Sequence, residues 1–473
     1  MSTKRSILLP WVVAALASIG GTARADHHEA PAATAPAATA PAATAPTSPL
    51  DSLPILRETL PNGLRVVMSP DRTVPTVALT VYYDVGSRNE VRGRSGFAHL
   101  FEHMMFQGSA NVGKGEHFQL VGNRGGSLNG TTSEDRTNYF ETLPSNELAL
   151  GLWLEADRMK SLAVTAENFE NQRQTVMEER RQRIDNQPYV PSFLRIDELA
   201  YGDYFPYAHS TIGDMQDLVN APLSAVQEFF RTYYAPNNAV ISLAGDFDPA
   251  EAMTMIRRYF ADIPRRDVPA FTDVAMTPQT AERSETMLDP NASLPAFHVA
   301  YHIPPNGEPD HYAIEMLALV LADGDSSRLY QELVKTREIC AQIYLGTQDR
   351  RGPDIFSFFA VMSAGHEPRE ARDVLYRQLE DIARNGVTER ELEKARNRAR
   401  ASFVFGIESN LSRSQRLGEH ELYFGDANRI RGELDRYLAV TRDDIRRVAG
   451  QYFHATNRTV LDVMPPPARG AAE

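Results

Sequence analysis

The chain has 473 residues, 49 Lys and Arg against 62 Asp and Glu, and a formal net charge of −13 with neutral histidines. That surplus of acid argues against nucleic acid or an anionic membrane as partner, because like charges repel. The length predicts two or three domains. The single cysteine, Cys340, excludes an intrachain disulfide and, within Ile339-Cys340-Ala341, reads as a small buried hydrophobe.

The chain opens on a predicted export signal. Lys4 and Arg5 form a basic start, residues 7–19 are mostly apolar, and Ala23-Arg24-Ala25 is a small-residue cleavage site. This apolar run is short for a membrane span and no later stretch approaches 18 apolar residues, so no transmembrane span is expected after cleavage. Loss of residues 1–25 removes Lys4, Arg5 and Arg24 and no acid, which moves the net charge from −13 to −16. The signal implies a periplasmic protein. Residues 26–51 then read as a disordered Ala/Pro/Thr tether, because residues 31–45 are three copies of Pro-Ala-Ala-Thr-Ala with no bulky apolar side chain. His27, His28 and Glu29 sit in that tail as solvated residues rather than ligands.

In the body, residues 64–68 and 77–83 are predicted strands, followed by a helix over about residues 96–106. It carries His99-Leu100-Phe101-Glu102-His103. On a helix, positions i and i+4 share a face, so both imidazoles can point at one metal ion. Glu102 lies at the edge of that face, able to touch a water molecule without being a ligand. A histidine among Phe97, Leu100, Met104 and Met105 is more often a packed core residue, so a third ligand decides between the two readings. Glu179 fits that demand, on a polar helix over residues 165–184 where Val176, Glu179 and Arg183 share a face.

The flanks Gly96-Phe97-Ala98 and Met104-Met105-Phe106-Gln107-Gly108-Ser109 extend the pattern, as does Gly125-Gly126-Ser127-Leu128-Asn129-Gly130-Thr131-Thr132. With Glu179 placed 76 residues after His103, His99-x-x-Glu102-His103 resembles the inverted zinc motif of the pitrilysin/insulysin-type metallopeptidases. That group includes mitochondrial processing peptidase and bacterial two-domain peptidases, and the resemblance runs from about Leu53 to Val463. It implies an α+β fold of two homologous domains, each a mostly antiparallel sheet packed with helices. It also implies one Zn2+ per chain held by His99, His103 and Glu179, with Glu102 as catalytic base and Asn129, Gly130 and Thr131 along the substrate cleft. The family places a Glu-Arg pair seven residues before the ligand. Gln172-Arg173 occupies that place, which selects Glu179 over Glu178, about 100° round the helix. Gln172 departs from the family's glutamate: an amide can hydrogen-bond but carries no charge.

The sequence also repeats itself faintly. Val226, Phe229 and Tyr233 recur as Ile445, Val448 and Tyr452 at an offset of 219, and Asn238 recurs as Asn457. This predicts a zinc-bearing half over 52–267, a linker over 268–279, a homologous half without zinc over 280–465, and a tail over 466–473. Thr388 and Glu391 form a predicted capping box for a helix running towards residue 401.

In related peptidases an Arg and a Tyr seven residues apart in the second half hold the substrate. Anchored on Ser326-Ser327-Arg328-Leu329-Tyr330-Gln331-Glu332-Leu333, those positions fall on Val334 and Ala341, and neither side chain donates a hydrogen bond. Arg337 and Tyr344 have the spacing but stand three residues out of frame. The expectation is a zinc endopeptidase of peptides or unfolded segments, the catalytic subunit of a heterodimer whose homologous zinc-less subunit supplies Arg and Tyr. The alternatives are a homodimer using Arg337 and Tyr344, and a non-catalytic scaffold or binding subunit of a larger assembly.

Overall fold

The computed structural model describes residues 53–271 and 275–467. The export signal, the tether, residues 272–274 of the linker and residues 468–473 of the tail lie outside the described residues. Among those described, no helix is long and apolar enough to cross a membrane.

Strands β1 (Leu56–Thr59), β2 (Arg65–Pro70), β3 (Thr76–Tyr83), β4 (Ser127–Thr132), β5 (Thr137–Pro144) and β6 (Ala239–Gly245) form one sheet in the order β1-β2-β6-β3-β5-β4. Strands β7 (Arg283–Leu288), β8 (Ala296–Ile303), β9 (Cys340–Thr347), β10 (Asp354–Met362) and β11 (Arg458–Met464) form the second, in the order β7-β11-β8-β10-β9. Each sheet has one parallel pair, β2 with β6 and β7 with β11, and is otherwise antiparallel. Strand for strand, β2-β6-β3-β5-β4 and β7-β11-β8-β10-β9 are the same topology, so the fold is α+β with a structural repeat. The Asn pair explains why the repeat left a mark in the sequence. Asn238 donates its amide to the carbonyls of Tyr233 (2.9 Å) and Asp84 (3.2 Å), and Asn457 donates to those of Tyr452 (2.8 Å) and His302 (2.9 Å). Each closes the end of a helix onto the end of a neighbouring strand.

The motif helix α1 spans Phe97–Met104, shorter than the 96–106 expected. Gly96 lies outside it at φ +86°, a left-handed conformation suited to glycine. At the other end Phe106 and Gln107 bond to carbonyls three residues back, which tightens the chain out of the α form. Helix α2 covers Leu148–Ser161. Helix α3, Ala166–Arg180, starts at Thr165, whose hydroxyl accepts from the Asn168 N–H. It ends short of Ile184 because residues 181–185 widen into a turn closed by Asn186 N–H to Arg181 C=O.

The second faces of the sheets are covered by exchange. Helix α4 (Val190–Tyr201), early in the chain, packs on the second sheet, where Ile196, Ala200 and Tyr201 meet Ala300, Ile355 and Leu461. Its Ser192 hydroxyl lies 2.7 Å from Nε2 of the buried His298. Helices α5 (Leu223–Tyr233), α6 (Pro249–Phe260), α7 (Pro309–Ala322), α8 (Pro368–Asn385) and α9 (Glu389–Glu408) follow. The Thr388–Glu391 capping box starts α9 as expected, and the helix runs on past residue 401. Helix α10 (Asn410–Phe424) then crosses back to the first sheet, where Leu417 and Leu422 pack with Val67, Tyr82 and Val240. Its Ser414 Oγ donates to Ser242 C=O (2.8 Å) and lies 2.9 Å from Thr80 Oγ1. Covered on both faces, β3 is a continuous buried run rather than an alternation. Helix α11 (Arg442–Tyr452) repeats α5.

Gly418 tests this exchange. A Cβ there would stand 2.7 Å from the Tyr82 ring, whereas one at Gly122 meets nothing within 4 Å. Gly418→Val should therefore destabilise by about 1–3 kcal/mol through overpacking, with Gly122→Ala neutral or better, as read by thermal unfolding.

Candidate metal centre

Eight residues make a marginal helix in water, so α1 depends on its cap and its packing. Glu90 supplies the cap: its carboxylate accepts from the N–H groups of Gly96 (2.8 Å) and Ala98 (2.7 Å), and His209 Nε2 lies 3.0 Å away. Phe97, Leu100, Phe101 and Met104 are buried in the core. That leaves His99, Glu102 and His103 on the opposite face, towards α3 and β4.

There the side chains converge. Glu179 Oε2 lies 3.2 Å from His103 Nε2 and 3.8 Å from His99 Nε2, and the two imidazole rings stand edge to face at 4.8 Å. A tetrahedral ion with bonds of about 2.0–2.2 Å sets its ligand atoms about 3.3–3.6 Å apart. Two nitrogens and a carboxylate oxygen at these separations suit such an ion. Gln172 Oε1 lies 3.3 Å from His103 Nδ1 and its amide NH2 donates to Asn171 Oδ1 (2.8 Å). Nδ1–H therefore donates to Gln172, which turns Nε2 towards the convergence. Arg183 holds the other oxygen of Glu179 at 2.8 Å. Glu178, by contrast, is exposed and paired with Arg181 and Gln182.

Burial, reinforced by the neighbouring His103, holds His99 down at about 4, a neutral nitrogen donor. Burial would also lower His103, but its hydrogen bond to Glu179 and that carboxylate's charge outweigh it and raise the ring. Burial would raise Glu179, yet the bond from His103 and both imidazoles draw it down to about 2. Glu102 goes the other way. Burial raises it, and the hydrogen bond from Thr132 Oγ1 (2.7 Å) opposes that only in part.

Thr132 was not among the residues read from the sequence, although β4 carries the signal. Side chains two apart on a strand share a face, and Gly130 and Thr132 both meet Glu102. A Cβ at Gly130 would stand 3.0 Å from Glu102 Cγ. Asn129 is exposed and accepts from the Gly130 N–H (2.9 Å), while Thr131 donates to Asn138 (2.5 Å). These two shape β4, an edge strand, rather than the metal face. In the second half Val334 packs on the core, and Ala341 is the residue skipped where Gln342 pairs Val361 and Cys340 pairs Met362. Arg337 is exposed and pairs with Glu332 (3.1 Å), and the Tyr344 ring stacks on Phe359.

Residues 65–201 match the family described as Insulinase (Peptidase family M16), and residues 221–399 match the one described as Peptidase M16 inactive domain. The chain is similar to the zinc protease PqqE of Helicobacter pylori, 30% identical over 417 residues, covering 86% of this chain and 92% of the relative. This chain belongs to peptidase family M16. An uncharacterized zinc protease of Mycobacterium tuberculosis is 29% identical over 410 residues, covering 85% of this chain and 91% of the relative. A probable mitochondrial-processing peptidase subunit beta of Arabidopsis thaliana is 23% identical over 416 residues, covering 86% and 78%. The crystal structure of a protease from Helicobacter pylori superposes with a TM-score of 0.84 at 29% identity, covering 87% of this chain and all of that one. The two-domain α+β fold is thus that of the M16 peptidases.

The placement of α3 sets a first test of the ligands. Glu179→Gln should weaken zinc binding by more than the about 10–100-fold that loss of an outer partner costs, and Glu178→Gln should leave it unchanged, as titration with a competing chelator reads.

Proposed function

We propose that this chain is a zinc-dependent endopeptidase of peptides or unfolded segments, acting in the periplasm. The observation that carries the reading is the meeting of His99, His103 and Glu179 on one face with the buried carboxylate of Glu102 beside them. Zinc held there would supply Lewis-acid polarisation of the scissile carbonyl and acidify a water molecule. The chain's own part begins with Glu102, which accepts the proton of the attacking water and delivers it to the leaving amine. Its raised basicity suits both duties, and Thr132 keeps the carboxylate turned towards the cleft. Gln172 and Arg183 hold His103 and Glu179 in place. The free edge of β4 offers backbone groups to which an extended substrate can add as a strand.

The second half supports a further step in this reading. Neither Val334 nor Ala341 offers a donor to a substrate carbonyl, and Arg337 and Tyr344 are turned to Glu332 and Phe359. We therefore take the chain as the zinc-bearing subunit of a heterodimer, with a homologous subunit bringing Arg and Tyr to the open side of the cleft. A relative bearing the name of a subunit is in keeping with this. The match to an inactive domain favours a second reading, a non-catalytic binding subunit, against which the complete ligand set stands.

Two measurements separate these readings. Glu102→Gln should retain one zinc at the site and lose peptide hydrolysis, while Thr132→Val should keep the metal and lower kcat by roughly ten-fold or more, since a hydrogen bond to a charged group contributes about 1.5–3 kcal/mol. Retained hydrolysis in Glu102→Gln would refute the base, and a zinc-loaded wild type inert with every partner would favour the binding subunit. For the pairing, the purified chain alone should hydrolyse peptides weakly and gain activity when the homologous subunit is added. Full activity alone, lost on Arg337→Ala or Tyr344→Phe, would restore the homodimer.

A further inference from the structure

A second group of ligand-type side chains lies behind the motif helix, inside the core of the first half. His117, on the short helix Glu116–Gly122, Glu141 on β5 and Glu155 on α2 bring ligand atoms within 4.8 Å of one another. They are 4%, 1% and 0% exposed. His117 Nε2 lies 3.5 Å from Glu141 Oε1, near the edge of about 3.3–3.6 Å that a tetrahedral ion sets between its ligands. With both carboxyls ionised, none of His117 Nε2, Glu141 Oε1 and Glu141 Oε2 has a hydrogen-bond partner among the described residues, whereas a proton on one carboxyl joins Glu141 to Glu155. Buried polar atoms are seldom left so, and an ion is one of the few things that satisfies three at once.

The charges point the same way. Arg158 grips Glu155 through Nε (2.9 Å) and Nη2. Two ionised carboxylates against one guanidinium leave a net −1 in the core, a state that burial makes costly. Burial pushes Glu141 up and Glu155 to about 7, and it pushes His117 down to about 3, leaving a neutral nitrogen donor. The cluster therefore takes up positive charge, either as one proton shared by the two carboxyls or as a metal ion. The proton joins the two carboxyls in a hydrogen bond and leaves the imidazole nitrogen only the Glu141 oxygen at 3.5 Å. The ion uses that nitrogen.

We propose that His117, Glu141 and Glu155 form a second, structural site for a divalent metal ion of the zinc class, separate from the site of His99, His103 and Glu179. One imidazole and two carboxylates are donors that such an ion takes. Each oxygen of Glu155 keeps a lone pair beyond the one directed at Arg158, so the guanidinium serves as the outer partner that fixes this ligand. With both carboxylates neutralising the ion, the remaining charge of Arg158 rests on the faces of Tyr139 (4.4 Å) and Phe106 (5.2 Å). The site has no open mouth, so the ion enters as the chain folds. Its purpose is bracing. Tyr139 donates to the Phe101 carbonyl of α1 (3.4 Å) and its ring abuts Gly130 of β4, the two elements that carry Glu102 and Thr132.

The test uses the full chain with its first site removed by His99→Ala/His103→Ala, so that its outcome is independent of the proposed peptidase activity. Refolded in zinc chloride and freed of loose metal, the wild type should hold two zinc ions and the double variant one. Adding Glu141→Gln should remove that remaining ion and lower the thermal midpoint. Glutamine mimics a protonated carboxyl, so an unchanged midpoint together with a double variant free of zinc would overturn the proposal in favour of the shared proton. Should the triple variant fail to fold, zinc X-ray absorption of the double variant decides. One imidazole and carboxylate oxygens at about 2.0–2.2 Å support the site, and any other ligand set refutes it.

Discussion

The exchange of α4 and α10 is the constraint on which the rest of the molecule depends. A strand buried on one face only would read as alternating, as β7 at a sheet edge does, but the central strands β3, β6, β8 and β10 do not. Each half carries the helix that covers the other's second face, with Val190 and Asn410 standing 220 residues apart, close to the repeat offset. Each half builds one core from its own residues and closes a second only with the other half's helix. The relative position of the two sheets is then fixed by packing rather than by the linker, and a rigid interface is what allows a loop of one half to support the site of the other.

That support runs through residues 348–353. Arg350, 2% exposed, lies between the rings of Tyr201 and Tyr207 and pairs with Glu134 (3.1 Å) and Asp197 (2.9 Å). Beside it the Arg351 N–H donates to Asp135 (2.9 Å) and its guanidinium to Asp84 (2.6 Å). Glu134 and Asp135 form the turn joining β4 to β5, so the second half grips the hairpin that carries Gly130 and Thr132. A buried ion pair of this kind contributes little net stability but punishes any other arrangement, because a stranded charge costs several kcal/mol. The hydrogen bond that orients Glu102 thus depends on a loop more than 200 residues away.

Such distance explains what was and was not legible in the sequence. The metal-binding face of α1 follows from local periodicity, and β2 and β3 announce themselves as apolar runs, whereas the choice of Glu179 over Glu178 comes from the family resemblance, whose Glu-Arg spacing Gln172-Arg173 matches. The repeat survived at Asn238 and Asn457 because a helix-to-strand closure needs a side-chain amide at one spot. What stayed hidden was tertiary. Glu90 reads as any surface acid until the fold brings it under the N-terminus of α1, and Thr132 gains its meaning only when β4 lies against Glu102. The helix ends moved for the same reason: α1 stops where a tightened turn begins, and α3 widens just after Glu179, at the residues that border the site.

Among the described residues, three groups of histidine and acid share one ligand chemistry, and counter-charge decides what each becomes. At His311, Nδ1–H donates to Pro304 C=O (3.1 Å) and Nε2 lies 3.3 Å from Asp349. Burial would lower this ring, but Asp349, Glu315 and Asp354 outweigh it and lift it to about 10. The imidazole is itself the cation there, so the group is complete as an ion pair. At His99 and His103 a single carboxylate faces two imidazoles: it raises His103, which it bonds, while burial keeps His99 neutral with its nitrogen lone pair still to be used. At His117 burial keeps the imidazole neutral beside two carboxylates that one guanidinium only half compensates. Residue types alone therefore do not distinguish a metal site from a salt bridge in this fold. The distinction lies in whether the group keeps a histidine with too few negative neighbours to hold its own proton, as His99 and His117 are and His311 is not.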